Sequence, residues 1–187
     1  MLITAEYAAL NAEHHRLCAS YGVRGGNAAN LVHVAEQMGT RDVLDYGCGK
    51  GNLSRQMPWQ IKEYDPAIPG KEHQAEPADI VICRDVLEHV EPECLEAVLA
   101  DLARCVKRMG FFSMATGPSW DVLPDGRNAH LIQQPIEWWR ERLSRHFCVA
   151  QMQEWWQLSQ HRDQLFIGGR AIFVSVTPKR RGTNGSG

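Results

Sequence analysis

No apolar run in this 187-residue chain approaches the ~18–20 residues that a membrane-spanning helix needs. The opening stretch MLITAEYAALNAEHH has neither the basic start nor the apolar core of a secretion signal. Charge of one sign is missing too. A formal net charge of −2 leaves no broad electrostatic footprint for nucleic acid. The six cysteines, at 18, 48, 83, 94, 105 and 148, include no Cys-x-x-Cys pair and read as no disulfide framework. Cys83 and Cys105 lie within apolar patterns and read as small buried hydrophobes. These absences place the expected setting in a reducing cytoplasm, away from membranes. No internal repeat is present, and nothing in the sequence sets the oligomeric state.

What is there suits one domain with a proper core. It is expected over 1–178, with a helical N-terminal cap at 1–39, a cofactor-binding sheet and substrate loop at 40–178, and a disordered basic tail at 179–187. Tyr7, Leu10, His14 and Leu17 share helical spacing. The stretch 27–39 reads as a helix capped by Asn27 and stopped by Gly39, with Leu31, Val34 and Met38 on one face. DVLDY, IKEYD (61–65) and DIVIC (79–83) read as short buried strands, and a short helix spans about 53–57. The strongest helical pattern runs from Glu91 to Arg108. Acids stand at its start, Lys107 and Arg108 at its end, and Gly110 at the stop. FFSMAT (111–116) is a further strand, PIEWWRERLSRHF a helix, and FCVAQMQEWW and GRAIFVSVT close the chain as β runs. Alternating strands and helices predict an α/β fold: a Rossmann-like, mostly parallel sheet with helices on both faces and an antiparallel last strand. In such sheets ligands gather at the carboxyl ends of the strands.

The loop VLDYGCGKGNLS (43–54) places Gly47, Gly49 and Gly51 at one of those ends. It is not a phosphate-binding Walker loop. Leu44 stands where that pattern needs its first glycine, and Gly51 where it needs Ser or Thr. The dinucleotide fingerprint fails as well, because its third glycine is Asn52. Asp45 would repel a pyrophosphate but suits an ammonium group. Asp65 ends the next strand, about 20 residues on, where a carboxylate accepts hydrogen bonds from both ribose hydroxyls. Glycines, an ammonium-binding acid and a ribose-binding acid together describe S-adenosylmethionine.

On VLDYGCGKG, EYDP and ADIVICRDVLEHVEPECLEAVLADLARCVKRMGFF the chain resembles the class I S-adenosylmethionine-dependent methyltransferases, in the group with a VLEHV turn after the fourth strand. The likeness covers residues 40 to about 150. It implies that Asp45, Gly47, Cys48 and Gly49 hold the methionine end, Asp65 the ribose, and Arg84 and Asp85 the methyl-transfer side. One departure stands out. Only residues 66–78 separate Asp65 from Asp79, and each parallel crossover takes about a dozen residues or more, so the helix, strand and helix that the family places there do not fit. The family's third strand is therefore expected to be missing or reduced, and the adenine wall abbreviated.

Methyl transfer needs an aligned acceptor and, where the acceptor carries a proton, a base. His130, in the loop LPDGRNAHLIQQP with Asp125, Arg127 and Asn128, is the first candidate, and His89 the second. The simpler reading has His89 packing its turn and Glu88 solvated at a helix start. The acceptor is expected to be a small polar metabolite methylated on oxygen or nitrogen, with no metal ligands. Asp85, Glu88, His89 and His130 also form a set similar to that of the metal-dependent RNA 3′-terminal ribose 2′-O-methyltransferases. That resemblance implies a divalent metal and an RNA partner, the less favoured alternative. A non-catalytic cofactor-binding subunit is the third reading. Stacking of bases on Trp138, Trp139, Trp155 and Trp156 is disfavoured, since one of each pair is expected to face the core. The segment YGVRGG is either a lid, with Tyr21 or Arg24 reaching in, or a plain connector.

Overall fold

A computed structural model describes residues 1–22, 28–161 and 164–179, with the backbone alone for 155–161 and 164–170. The Asn27 cap, Arg24, the tail beyond 179 and the side chains of Trp155 and Trp156 lie outside the described residues. Six strands form one sheet: β1 (Val43–Tyr46), β2 (Lys62–Tyr64), β3 (Ala78–Arg84), β4 (Val106–Ala115), β5 (Phe147–His161) and β6 (Gln164–Pro178), in the order β2-β1-β3-β4-β6-β5. The β2-β1-β3-β4 half is parallel. β6 runs antiparallel to β4, and β5 covers it at the edge.

Both faces of the parallel half are covered. Alternation along β3 shows how, because successive side chains of a strand point to opposite faces. Val81 and Cys83 pack with Leu99 and Leu102 of α4 (Leu95–Cys105) and with Trp139 and Leu143 of α5 (Ile136–His146). Ile80 and Ile82 pack with Leu31 and Ala35 of α2 (Ala28–Met38) and Leu53 of α3 (Asn52–Gln56). Cys83 and Cys105 are fully buried, as their apolar surroundings predict. Trp139 is buried and Trp138 only partly so, the division expected of that pair. Gly39 stops α2 with a φ of 64°. No described helix is long and apolar enough to cross a membrane.

Residues 65–77 join β2 to β3 with neither helix nor strand, so the third strand of the family is absent, as the spacing predicts. The helix expected over 91–108 is shorter. Val106 is already extended (ψ 107°) and pairs with Ala78, so β4 begins where α4 ends. Lys107 and Arg108 accordingly lie on β4, where they reach Asp42 and Asp79, and Gly110 sits inside the strand opposite Val81. The helical pattern runs on because Leu102 and Val106 keep helical spacing, although Val106 contributes it from a strand. In α1 (Ala5–Leu17) the buried side is Tyr7, Asn11 and His14, while Leu17 is exposed. Its partners are Tyr21, just beyond the helix, and Leu123 and Ala129, residues far along the chain that local spacing does not reveal.

Candidate active site

The carboxyl ends of β1 to β4 converge on a cleft of about 190 Å³. Asp45, Gly47, Cys48, Asp65, Arg84 and Asp85 all line it. Gly49 does not: it lies beneath Gly22, whose carbonyl oxygen would stand 2.6 Å from a Cβ added at Gly49. With a φ of 50° as well, position 49 requires glycine for packing the loop. Gly47 (φ 77°) faces the cleft, and a Cβ there would collide with Val86. This leaves backbone exposed to whatever enters the cleft.

The two acids behave differently. Asp65 is buried, and its carboxylate already organises the loop: Oδ2 accepts the Gly49 N–H at 2.9 Å and Oδ1 the Ala67 N–H at 2.9 Å. A carboxylate has about four lone-pair sites, so two acceptor positions remain for a ligand. Asp45 is buried beside Glu63, its cross-strand neighbour. Burial first, and the Glu63 charge second, push its pKa up to about 7, against the opposing pull of Lys71 and Arg84. A cationic group entering the cleft would find a complementary charge there.

Beyond Arg84 the chain turns sharply. Asp85 adopts the left-handed conformation (φ 51°), uncommon outside glycine, asparagine and aspartate. Ser113 of β4 holds it there, its carbonyl accepting the Asp85 N–H at 2.9 Å and its hydroxyl donating to Oδ1 at 3.2 Å. A 3-10 turn over Leu87–His89 follows. Glu88 is not solvated at a helix start. It is completely buried, with Oε1 accepting the Ala115 N–H at 2.7 Å, because the end of β4 covers it. Oε2 has no hydrogen-bond partner among the described residues. Burial, reinforced by the Asp85 charge, raises the Glu88 pKa well above its usual value, which favours the neutral acid where no cation is nearby.

Glu88, His89 and His130 come together, with a ligand atom from each within 4.8 Å of the others. The imidazoles cross edge to face, 4.7 Å between centroids. His89 Nδ1 lies 2.8 Å from the Ala129 carbonyl and His130 Nδ1 2.6 Å from the Gly117 carbonyl. A carbonyl only accepts, so Nδ1 carries the proton in each ring and Nε2 is the basic nitrogen. Asp85 does not join this set within the same limit.

The loop between β4 and α5 divides its expected candidates. His130 lines the cleft, whereas Asp125 and Arg127 pair with each other at the surface, 2.6 Å apart. Asn128 is structural. Its Oδ1 accepts from the Ser119 and His130 N–H groups, which fixes the approach of His130. Ser119 and Asp121 line the cleft without a sequence pattern to single them out.

The N-terminal segment roofs the site. The Tyr7 hydroxyl donates to the His89 carbonyl at 2.7 Å, and the Tyr21 hydroxyl donates to Asn11 Oδ1 at 3.1 Å and lies 3.3 Å from His89 Nδ1. Tyr21 is buried and lines the cleft, which goes beyond a plain connector. Glu91 belongs to this roof rather than to the α4 dipole: its carboxylate accepts from the N–H and hydroxyl of Thr4, the N-cap of α1. Tyr7 and Glu91 would have been hard to find from sequence, because their partners His89 and Thr4 are 80 or so residues distant.

A family profile described as "Methyltransferase domain" matches residues 12–163. No curated protein sequence matches the chain. Several solved structures are similar in fold. The 1,6-didemethyltoxoflavin-N1-methyltransferase of Burkholderia thailandensis, with bound 1,6-didemethyltoxoflavin and S-adenosylhomocysteine, is 17% identical with a TM-score of 0.57 over 92% of this chain and 89% of that one. The N-methyltransferase NodS of Bradyrhizobium japonicum WM9, in complex with S-adenosylhomocysteine, is 11% identical with a TM-score of 0.57 over 92% and 99%. The magnesium protoporphyrin IX methyltransferase of Synechocystis PCC 6803, with bound S-adenosylhomocysteine, is 16% identical with a TM-score of 0.51 over 94% and 88%.

Proposed function

Since the chain belongs to the methyltransferase-domain family and is a class I S-adenosylmethionine-dependent enzyme, we propose that it methylates an oxygen or nitrogen of a small polar acceptor, with His130 as general base. The observation that carries this reading is the fixed tautomer of His130, whose carbonyl-bound Nδ1 makes Nε2 the nitrogen that takes a proton at the acceptor end of the cleft. His89 backs it from the adjoining turn.

The residues fit the cofactor. Position 47 has no room for a side chain, and two buried acids stand at the strand ends where an ammonium and a ribose would lie. When bound, S-adenosylmethionine supplies an electrophilic methyl group on a sulfonium. Asp45 would pair with the ammonium, Asp65 would accept from the ribose hydroxyls through its two remaining lone-pair positions, and Gly47 and Cys48 would floor the methionine end. Arg84 and Asp85 border the side from which the acceptor arrives. Tyr21 and Asn11 close the roof and keep water from the reacting end.

The raised pKa of Asp45 gives a pH test. Only its carboxylate form attracts the ammonium, so cofactor affinity rises with pH through about 7, up to tenfold per unit below that value. It levels off near pH 8, where ordinary α-amino groups begin to lose their proton (pKa about 7.7–8.0). Calorimetry from pH 6 to 8 checks this, and a flat profile would count against Asp45 as the ammonium partner.

One observation favours a second reading. The convergence of Glu88, His89 and His130 makes a set of donors suited to a first-row divalent ion. In that case these three side chains act as ligands, and the acceptor is a pair of neighbouring hydroxyls such as an RNA 3′-terminal ribose. Incubation with methyl-labelled cofactor and fractionated metabolite or RNA pools, with and without chelator, separates the two. Label passing to a metabolite fraction in the presence of chelator is the expected outcome. Label passing to RNA only, lost with chelator and restored by manganese, would establish the second reading instead.

A further inference from the structure

A second donor cluster lies on the other side of the roof and is used by neither reading. We propose that His14, Cys18 and Asp121 form a binding site for a soft divalent transition-metal ion of the zinc class, which fastens helix α1 to the loop that carries His130. A ring nitrogen of His14, the Cys18 thiol and an Asp121 carboxylate oxygen all lie within 4.8 Å of one another. Tetrahedral ligation at about 2.1–2.3 Å places donors about 3.4–3.8 Å apart, so the three need to close by only about an ångström.

Local structure explains the first two ligands. His14 and Cys18 are four residues apart on α1 and its C-cap, so they share one face. Asp121 comes from the loop after β4, which packs on α1 through Leu123 and Ala129. A second observation points to a ligand. His14 is more than nine-tenths buried, yet its Nε2 has no hydrogen-bond partner among the described residues. Buried imidazole nitrogens are ordinarily satisfied. The ring packs edge-on against Tyr21 at 4.3 Å, which holds its plane. Cys18 is partly exposed, its sulfur 3.3 Å from the Ser20 hydroxyl, so an ion can reach it from solvent.

A thiolate, an imidazole and a carboxylate favour zinc-type ions over calcium or magnesium, which take oxygen donors. Three protein ligands leave the fourth position to water. Binding displaces the Cys18 thiol proton to solvent and changes no oxidation state. Asp121 and Tyr21 both line the cleft, so the ion would brace the roof over the acceptor.

Cobalt(II) is the direct probe, because only a thiolate ligand gives a sulfur-to-cobalt charge-transfer band, and Glu88, His89 and His130 offer no sulfur. Titration of the full chain with cobalt is expected to produce that band at one equivalent, and zinc is expected to displace it. The band is lost in Cys18→Ser. In Asp121→Ala, which retains the thiolate at a loop position, cobalt affinity falls at least tenfold. Zinc raises the melting temperature of the wild type but not of His14→Ala. Absence of the band in the wild type, or its persistence in Cys18→Ser, overturns the proposal, as does unchanged cobalt affinity in Asp121→Ala.

Discussion

Asp65→Ala lowers the affinity for S-adenosylmethionine by at least about a hundredfold. Two charge-assisted hydrogen bonds to the ribose are expected, each worth about 1.5–3 kcal/mol, and a tenfold change in affinity corresponds to about 1.4 kcal/mol. The loss exceeds what the ribose alone would give, because the same carboxylate accepts the Gly49 and Ala67 N–H groups. Removing it releases the glycine loop from the end of β2. Asp65→Asn retains an acceptor oxygen and the size of the side chain, so it should fall between wild type and alanine. Calorimetry with S-adenosylhomocysteine reads all three. An alanine variant that binds as wild type does would remove Asp65 from the cofactor site.

His130→Ala slows methyl transfer by about 10²–10⁴-fold, the usual contribution of a positioned base, and leaves cofactor affinity unchanged. The split matters, since Asp45, Asp65 and His130 line one cleft, and the proposed function gives the two acids to the cofactor and His130 to the acceptor. Glu88→Gln is the companion measurement. Burial favours the neutral form of Glu88 when no cation is beside it, and glutamine is nearly its shape and uncharged. It can also accept from the Ala115 N–H as Glu88 does. Transfer by Glu88→Gln therefore persists if His130 acts as a base. If the three residues ligate a cation, removing the one anionic ligand abolishes transfer together with manganese dependence. A kcat in His130→Ala equal to wild type would eliminate His130 as a base under the first reading and as a ligand under the second.

Strand-end chemistry was legible because it is local. Asp45 and Gly47 follow an apolar strand directly, and Asp65 ends the next one, so their place at the mouth of a parallel sheet follows from chain order alone. The missing third strand was legible for the same kind of reason: 66–78 is long enough for one crossover but too short for the two that an intervening strand would need. Boundaries that depend on pairing were not. Val106 continues the α4 pattern, but its backbone joins Ala78 in the sheet, and a hydrogen-bonding partner decides that rather than spacing. Position 49 shows the same limit. Its glycine reads as part of a ligand cradle, yet what it makes room for is the Gly22 carbonyl.

The sequence by itself determined the sheet, the acids at its carboxyl edge and the class of cofactor they suit, since each rests on residues within one element or at its end. Only the tertiary structure decided the acceptor side. Glu88 looks like a solvated acid until the Ala115 N–H and the end of β4 bury it. His130 acquires its tautomer from Gly117, and Tyr21 reaches His89 only because α1 folds across the site. Burial, protonation and tautomer are set by groups distant in the chain, and periodicity carries no information about which of them meet.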